Sequence, residues 1–151
     1  MRDRAIPHEK NHRSRTYLIA AEDPDEDALP VVKAFVSLAI HVMDIEHVSA
    51  RGMRKRLHGM YYPSAGPIRP VPCYLIGQLG KDDRHVDDIT GDELISIAVD
   101  LIGGAQATVG GRFIKIDCEA IPGLVDLYER NGFRAVQNDV SSGLLEMVLF
   151  F

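Results

Sequence analysis

Two early segments, TYLIAA at residues 16–21 and VVKAFVSL at residues 31–38, are dense in β-branched, aromatic and other apolar side chains. Such runs predict strands. The stretch between them, AEDPDEDALP, is acidic and carries prolines, so the pair reads as a hairpin with a long connection. After Ser49 the chain runs RGMRKRLHGMYYPSAGPIRPVP, basic first and then rich in proline and glycine, which predicts a short helix ending before Tyr61 and a loop after it. CYLIGQL at residues 73–79 is a continuous apolar run of buried-strand length. In TGDELISIAVDLI, residues 90–102, apolar positions 94, 97, 98, 101 and 102 follow the helical period, and Thr90 with Glu93 forms a capping box at the start. RFIKIDC at 112–118 alternates as a strand. Pro122 to Arg130 opens with a proline suited to a first helical turn and stops at Asn131-Gly132. FRAVQ and LLEMVLFF read as two closing strands. The resulting order, β-β-loop-β-α-β-α-β-β, is a mixed α/β arrangement without repeats or low-complexity tracts.

Composition narrows the class. The chain has 151 residues, 46% apolar and 26% charged, proportions that fit one domain spanning residues 1–151 with a single substantial core, and exclude a disordered chain. Its apolar runs are far shorter than the ~20 residues of a membrane span, and the N-terminus is charged rather than signal-like, so a cytoplasmic protein without a membrane partner is expected. Cys73 and Cys118 stand 45 positions apart with no C-x-x-C pairing, which suits buried thiols in a reducing compartment.

The net charge is −5 but unevenly spread, with basic clusters in residues 1–15 and at Arg51, Arg54, Lys55 and Arg56. Acids crowd residues 22–27 and 82–93. The acidic balance argues against a nucleic-acid partner, because phosphate neutralisation needs the opposite sign. His8-Glu9-Lys10-Asn11-His12 spells H-E-x-x-H, but it follows Pro7 near the chain start without the apolar flanks of a zinc-binding helix, so no metal is expected there. The remaining histidines, His41, His47, His58 and His85, have no short metal-ligand spacing and read as solvated or locally hydrogen-bonded.

Three segments in order, the strand-loop YLIGQLGKD with its capped helix, the strand GGRFIKIDCEAI and the segment LYERNGF, resemble the Gcn5-related N-acetyltransferase (GNAT) superfamily over residues 16–140. The resemblance implies a central mixed sheet flanked by helices, with acetyl-CoA as cosubstrate and an amine as acceptor. By that resemblance Tyr128 is the general acid that protonates the departing thiolate. Leu79, Gly80 and Lys81 would give backbone groups to the pantetheine arm. Asp87, Asp88, Ile89, Thr90, Gly91 and Asp92 would meet the pyrophosphate at a helix N-terminus, where the first amides lack intrahelical partners.

The pattern departs from the family at three places. The family loop Q/R-x-x-G-x-G/A aligns with Val86 to Gly91 and keeps only the last glycine, and its acids repel a polyanion. Lys81, Arg84 or the Arg51 to Arg56 cluster would have to compensate. Ile121 stands where the family often has an asparagine. Only 15 residues precede the first strand, where members usually have a strand and two helices, so either a shortened N-terminus or a fragment with an upstream start is expected. No general base is named; Asp44, Glu46 and His41 lie where an acceptor could approach. The resulting expectation is an N-acetyltransferase acting in a ternary complex, with a catalytically degenerate interaction or regulatory module as the alternative. A homodimer through the apolar segment Leu144 to Phe151 is also expected.

Overall fold

The computed structural model describes residues 7–21, 29–59 and 69–151. Six strands form one sheet: β1 (Arg15–Ala20), β2 (Val32–Met43), β3 (Val71–Lys81), β4 (Phe113–Cys118), β5 (Arg134–Asn138) and β6 (Leu145–Phe150). Among the described residues it is accompanied by the helices α1 (Arg51–His58), α2 (Gly91–Val109) and α3 (Pro122–Arg130), besides a short helical stretch at residues 7–10 and a 3-10 turn at Asp83–His85. The strand order is β1-β2-β3-β4-β6-β5, and every neighbouring pair is antiparallel except β3 and β4, which run parallel. A parallel pair needs a crossover, and α2 supplies it.

Alternation along β4 divides the core between the two faces of this sheet. Ile114, Ile116 and Cys118 point to the face covered by α2 and α3, where they join Leu94, Ile95, Ala98, Ile102, Tyr128 and Phe133. Phe113 points to the other face and meets Leu57 of α1, Met43, Val71 and Val148. The Arg56 guanidinium lies 3.9 Å from the Phe150 ring centroid on this second face. The basic cluster of α1 therefore sits across the sheet from the α2 N-terminus and is not placed to compensate for the acids there.

Several expectations need correction. β2 runs on to Met43 rather than stopping at Leu38, because β3 begins at Val71 and pairs Val42 with Pro72 and Met43 with Val71. α2 continues through Gly103 and Gly104 to Val109, seven residues past Ile102, its buried face at Leu94, Ile95, Ala98 and Ile102 outweighing the weak helix propensity of two glycines. α1 ends at His58 as expected, with Gly59 at φ 104° and its N–H donating to Lys55 O. The loop expected from Tyr61, and the acidic connection at 22–27, fall largely on residues 60–68 and 22–28, outside the described residues. β6 lies between β4 and β5 and is hydrogen-bonded on both sides, so it has no edge left to pair with a partner's sheet. Of the two modes of dimerisation expected from Leu144 to Phe151, pairing with a partner's sheet is closed to β6, because both of its edges are already hydrogen-bonded inside the fold.

Candidate active site: the cleft where β3 leaves β4

β3 and β4 pair only over Tyr74–Ile76 and Ile114–Ile116, although β3 continues to Lys81 and β4 to Cys118. The cause lies in β3. Opposite β2 the register jumps from Ser37↔Gln78 to Leu38↔Ile76, which leaves Gly77 as an extra residue, a β-bulge. A bulge bends its strand, and here the bend coincides with the parting of the parallel pair. The result is a cleft of about 280 Å³ lined on one side by Gly77, Gln78 and Leu79 and on the other by Asp117, Cys118 and Glu119. Past the last bonded pair, backbone amides and carbonyls on the facing edges have no partner strand, an arrangement suited to an extended ligand carrying its own amides.

Tyr128 of α3 also lines this cleft, with Leu124 one turn earlier. Its side chain is buried and packs edge-on against Phe133, with ring centroids 5.9 Å apart. Burial, with a smaller contribution from Cys118, raises its pKa above the ordinary tyrosine value of 10.0, so the phenol holds its proton throughout the neutral range. Cys118 is buried, its thiol lies 3.8 Å from Met147 Sδ, and burial raises its pKa too. Cys73, on the other face, is pushed up to about 12, chiefly by burial. Both thiols are free, as their spacing predicted.

The helix that follows β3 starts at a closed N-terminus. Glu93 Oε2 accepts from Thr90 N at 2.7 Å and from Thr90 Oγ1 at 2.8 Å, while Thr90 Oγ1 accepts from Glu93 N at 3.1 Å. The capping box read from the sequence is thus formed. Asp92 turns the other way and takes the Arg130 guanidinium at 2.7 and 2.8 Å and Asn131 Nδ2 at 2.7 Å, tying the start of α2 to the end of α3. These hydrogen bonds, Arg130 foremost, hold the Asp92 carboxyl down at about 2. Gly91 lies close against Leu127, where a Cβ would stand 3.1 Å from the leucine side chain.

The remaining residues expected to hold the coenzyme are dispersed. Leu79 lines the cleft, but Gly80 faces Phe35, whose ring a Cβ there would strike. Lys81 Nζ donates to Val86 O at 2.8 Å and Ile89 O at 2.9 Å, stapling the loop before α2. Ile89 is a core residue. Asp88 pairs with Lys33 Nζ at 2.7 Å and contacts His85 Nδ1 at 3.2 Å, and Asp87 is exposed. Arg84 grips Asp82 with its closest contact at 2.6 Å. Among the described residues, Lys33, Lys81, Arg84 and Arg130 near the α2 N-terminus are therefore each engaged by a carboxylate or carbonyl of the protein itself. Ile121 caps α3 without a side-chain hydrogen bond and is half exposed. Glu9 of the H-E-x-x-H segment serves as an anchor, accepting from Arg15 Nη1 at 2.7 Å and Thr16 N at 2.9 Å. Among the described residues no three potential ligands converge on a metal position.

Sequence reasoning missed Gly77, Gln78 and Asp117 as cleft residues. Gly77 carried a readable sign, since an isolated glycine inside an apolar strand marks a bulge or a close backbone approach.

No family model matches the chain, and no curated protein matches it. Solved structures do. A tyrosine-to-phenylalanine variant of KacT superimposes with a TM-score of 0.70 at 17% identity, covering 95% of this chain and 76% of that one. AtaTR bound with AcCoA gives 0.66 at 15% identity, over 95% and 75% of the two chains. AtaT complexed with acetyl-methionyl-tRNAfMet gives 0.65 at 16%, over 97% and 75%. Likeness of this extent at such low identity is a statement about architecture: the mixed six-stranded sheet, opened at its one parallel pair and flanked by helices, is the GNAT-type acyltransferase fold.

Proposed function

We propose that this chain is an N-acetyltransferase that seats acetyl-CoA in the β3–β4 cleft and passes the acetyl group directly to a primary amine. The observation that carries the reading is Tyr128: a buried, protonated phenol on the wall of a cleft whose unpaired strand edges suit the pantetheine amides. A structural neighbour of the same fold binds AcCoA. In the reaction the amine nitrogen bonds to the acetyl carbon as the carbon–sulfur bond breaks. The thiolate takes the phenol proton, and the surplus proton on the new amide returns to the phenolate through water.

The acceptor class we favour is the α-amine of an aminoacyl-tRNA, because a neighbour is complexed with the acetylated form of one. That likeness weakens the charge argument against nucleic acid. The basic residues of α1, Arg51, Arg54, Lys55 and Arg56, form a local positive surface even though the chain is acidic overall. Two free, buried thiols fit action in the reducing cytoplasm, and no helix among the described residues is long and apolar enough to cross a membrane.

A second reading is supported by the α2 N-terminus, where Glu93 occupies the Thr90 amide and Asp92 engages Arg130, a cation that a pyrophosphate would otherwise draw on. It makes the chain a GNAT-like module without catalysis. Calorimetry with acetyl-CoA decides between them: micromolar binding with a raised melting temperature supports the enzyme, and neither heat nor thermal shift at millimolar ligand supports the module.

A further inference from the structure

A cavity of about 240 Å³ lies between the second half of α2 and the β1–β2 pair, and shares no lining residue with the cleft that holds Tyr128. Its apolar walls follow from the strand register. Arg15 stands opposite Leu38 and Tyr17 opposite Val36, so alternation turns Tyr17, Leu38 and Ile40 to the face that α2 covers. The helix does not close over them. Its buried face runs through Leu94, Ala98 and Ile102, and the next position at that spacing is Ala105, whose methyl group leaves the space open. Ile40 is consequently 68% exposed and Tyr17 42%, two large apolar side chains left facing the opening.

The mouth of the cavity is basic. Residues 7–13 form a short turn in which Asn11 N donates to Pro7 O at 3.0 Å and Arg13 N to His8 O at 2.9 Å, and His12 closes it at φ 55°. That turn brings Arg13 and Arg15 to the rim. Arg15 is held by Glu9 Oε1 at 2.7 Å and contacts His12 Nδ1 at 3.3 Å, so the outer residues of H-E-x-x-H serve as a frame for a guanidinium. The Arg13 side chain has no hydrogen bond or ion pair among the described residues. No carboxylate lines the cavity, and with Glu9 set against Arg15 the two arginines leave one unanswered positive charge at the mouth.

We infer that this cavity binds a free medium-chain fatty carboxylate, its tail against Tyr17, Leu38, Ile40 and Leu101 and its head on Arg13. Charge and shape both select that ligand. At about 30 Å³ for each water-sized group, 240 Å³ holds roughly eight of them, the length of an octanoate chain. A single carboxylate answers the single free charge, and a guanidinium takes it through two parallel N–H bonds. An anion without a tail leaves Ile40 and Tyr17 in water, and a tail without a charge leaves Arg13 unanswered. The inference does not rest on the acetyltransferase reading, since none of these residues belongs to the cleft between β3 and β4.

The test uses the full chain and sodium octanoate, below the concentration at which it forms micelles, in equilibrium dialysis. Saturable one-to-one binding is expected, with octanol and octylammonium at least about tenfold weaker, because each lacks the charged hydrogen bonds to Arg13. Acetate, which has no tail, is expected to show no saturable binding. Arg13→Gln should weaken octanoate about tenfold, and Ala105→Phe, at an exposed position of α2, should abolish its binding by filling the cavity. Acetyl-CoA should not displace it. No saturable binding, octanol or octylammonium bound as tightly as octanoate, displacement by acetyl-CoA, or undiminished binding by a folded Ala105→Phe overturns the inference. The ligand series needs only the unmodified protein, so it decides the matter even if a variant fails to fold. Octanoate binding without acetyl-CoA binding would retire the transferase reading while leaving the carboxylate site in place.

Discussion

At the scale of single residues, the proposed acetyl transfer falls to Tyr128, and a few other groups have their state set by their neighbours. Tyr128 is kept neutral by burial, so Tyr128→Phe should lower turnover by about a hundredfold while acetyl-CoA affinity is retained, measured as thiol release and by calorimetry. An unchanged rate would remove it from the mechanism. Asp92 gives a pH signature. Its carboxyl is held at about 2 against an ordinary 3.8 by Arg130 and Asn131, so the folded state binds its proton less readily than the unfolded chain. The contribution is present above the ordinary value and lost as pH falls through 3.8 towards 2. Melting temperatures across that window should fall less steeply in Asp92→Asn than in the parent, and identical profiles would count against the assignment. Cys73, pushed up to about 12 inside the second core, should resist alkylation until the protein unfolds.

Elements carry local instructions that the sequence states openly. Thr90 and Glu93 spelled the start of α2, and both halves of the capping box formed; Thr90→Ala should destabilise by ~1 kcal/mol in denaturant melts. The helical period of apolar residues reads only as far as Ile102, whereas α2 continues through Gly103 and Gly104 to Val109. Neither glycine has any atom within 4 Å of a built Cβ, so nothing in the packing requires one. Gly103→Ala should therefore stabilise the protein by roughly 0.5–1 kcal/mol through a better helix propensity and a less flexible unfolded chain. α3 was read to its first and last residue, from Pro122 at the first turn to Asn131-Gly132 after it. β2 shows the limit of local pattern: its last five residues are a strand only because β3 lies alongside them.

For the whole molecule, a buried ion network joins β4 to β6: Lys115 Nζ lies 2.8 Å from Asp117 Oδ1 and 2.7 Å from Glu146 Oε1. Burial works to lower the Lys115 pKa, but its hydrogen bonds to Asp117 and Glu146 outweigh that and leave it raised. Lys115→Met leaves Glu146 as an uncompensated buried charge and should cost about 3–5 kcal/mol of stability in denaturant unfolding, much of it recovered in Lys115→Met with Glu146→Leu. A loss no larger than that of an exposed ion pair would show the network to be solvated.

What the sequence alone determined was everything that depends on near neighbours along the chain: the period of each apolar run, the caps of α2 and α3, the free thiols, and the order of elements whose YERNGF segment pointed to the acetyltransferase fold. Tertiary structure decided the rest, because it depends on which residues of distant segments become opposed. Gly77 becomes a bulge only against Ser37 and Leu38 of β2, and the cleft exists only because that bend falls where β3 leaves β4. Asp117 reads as one polar residue in an alternating strand until Glu146, 29 positions later, meets it across the sheet and Lys115 joins them. The cations near α2 looked available for a pyrophosphate until folding gave each one a closer partner, since a fixed carboxylate or carbonyl within 3 Å competes directly with any ligand for the same protons.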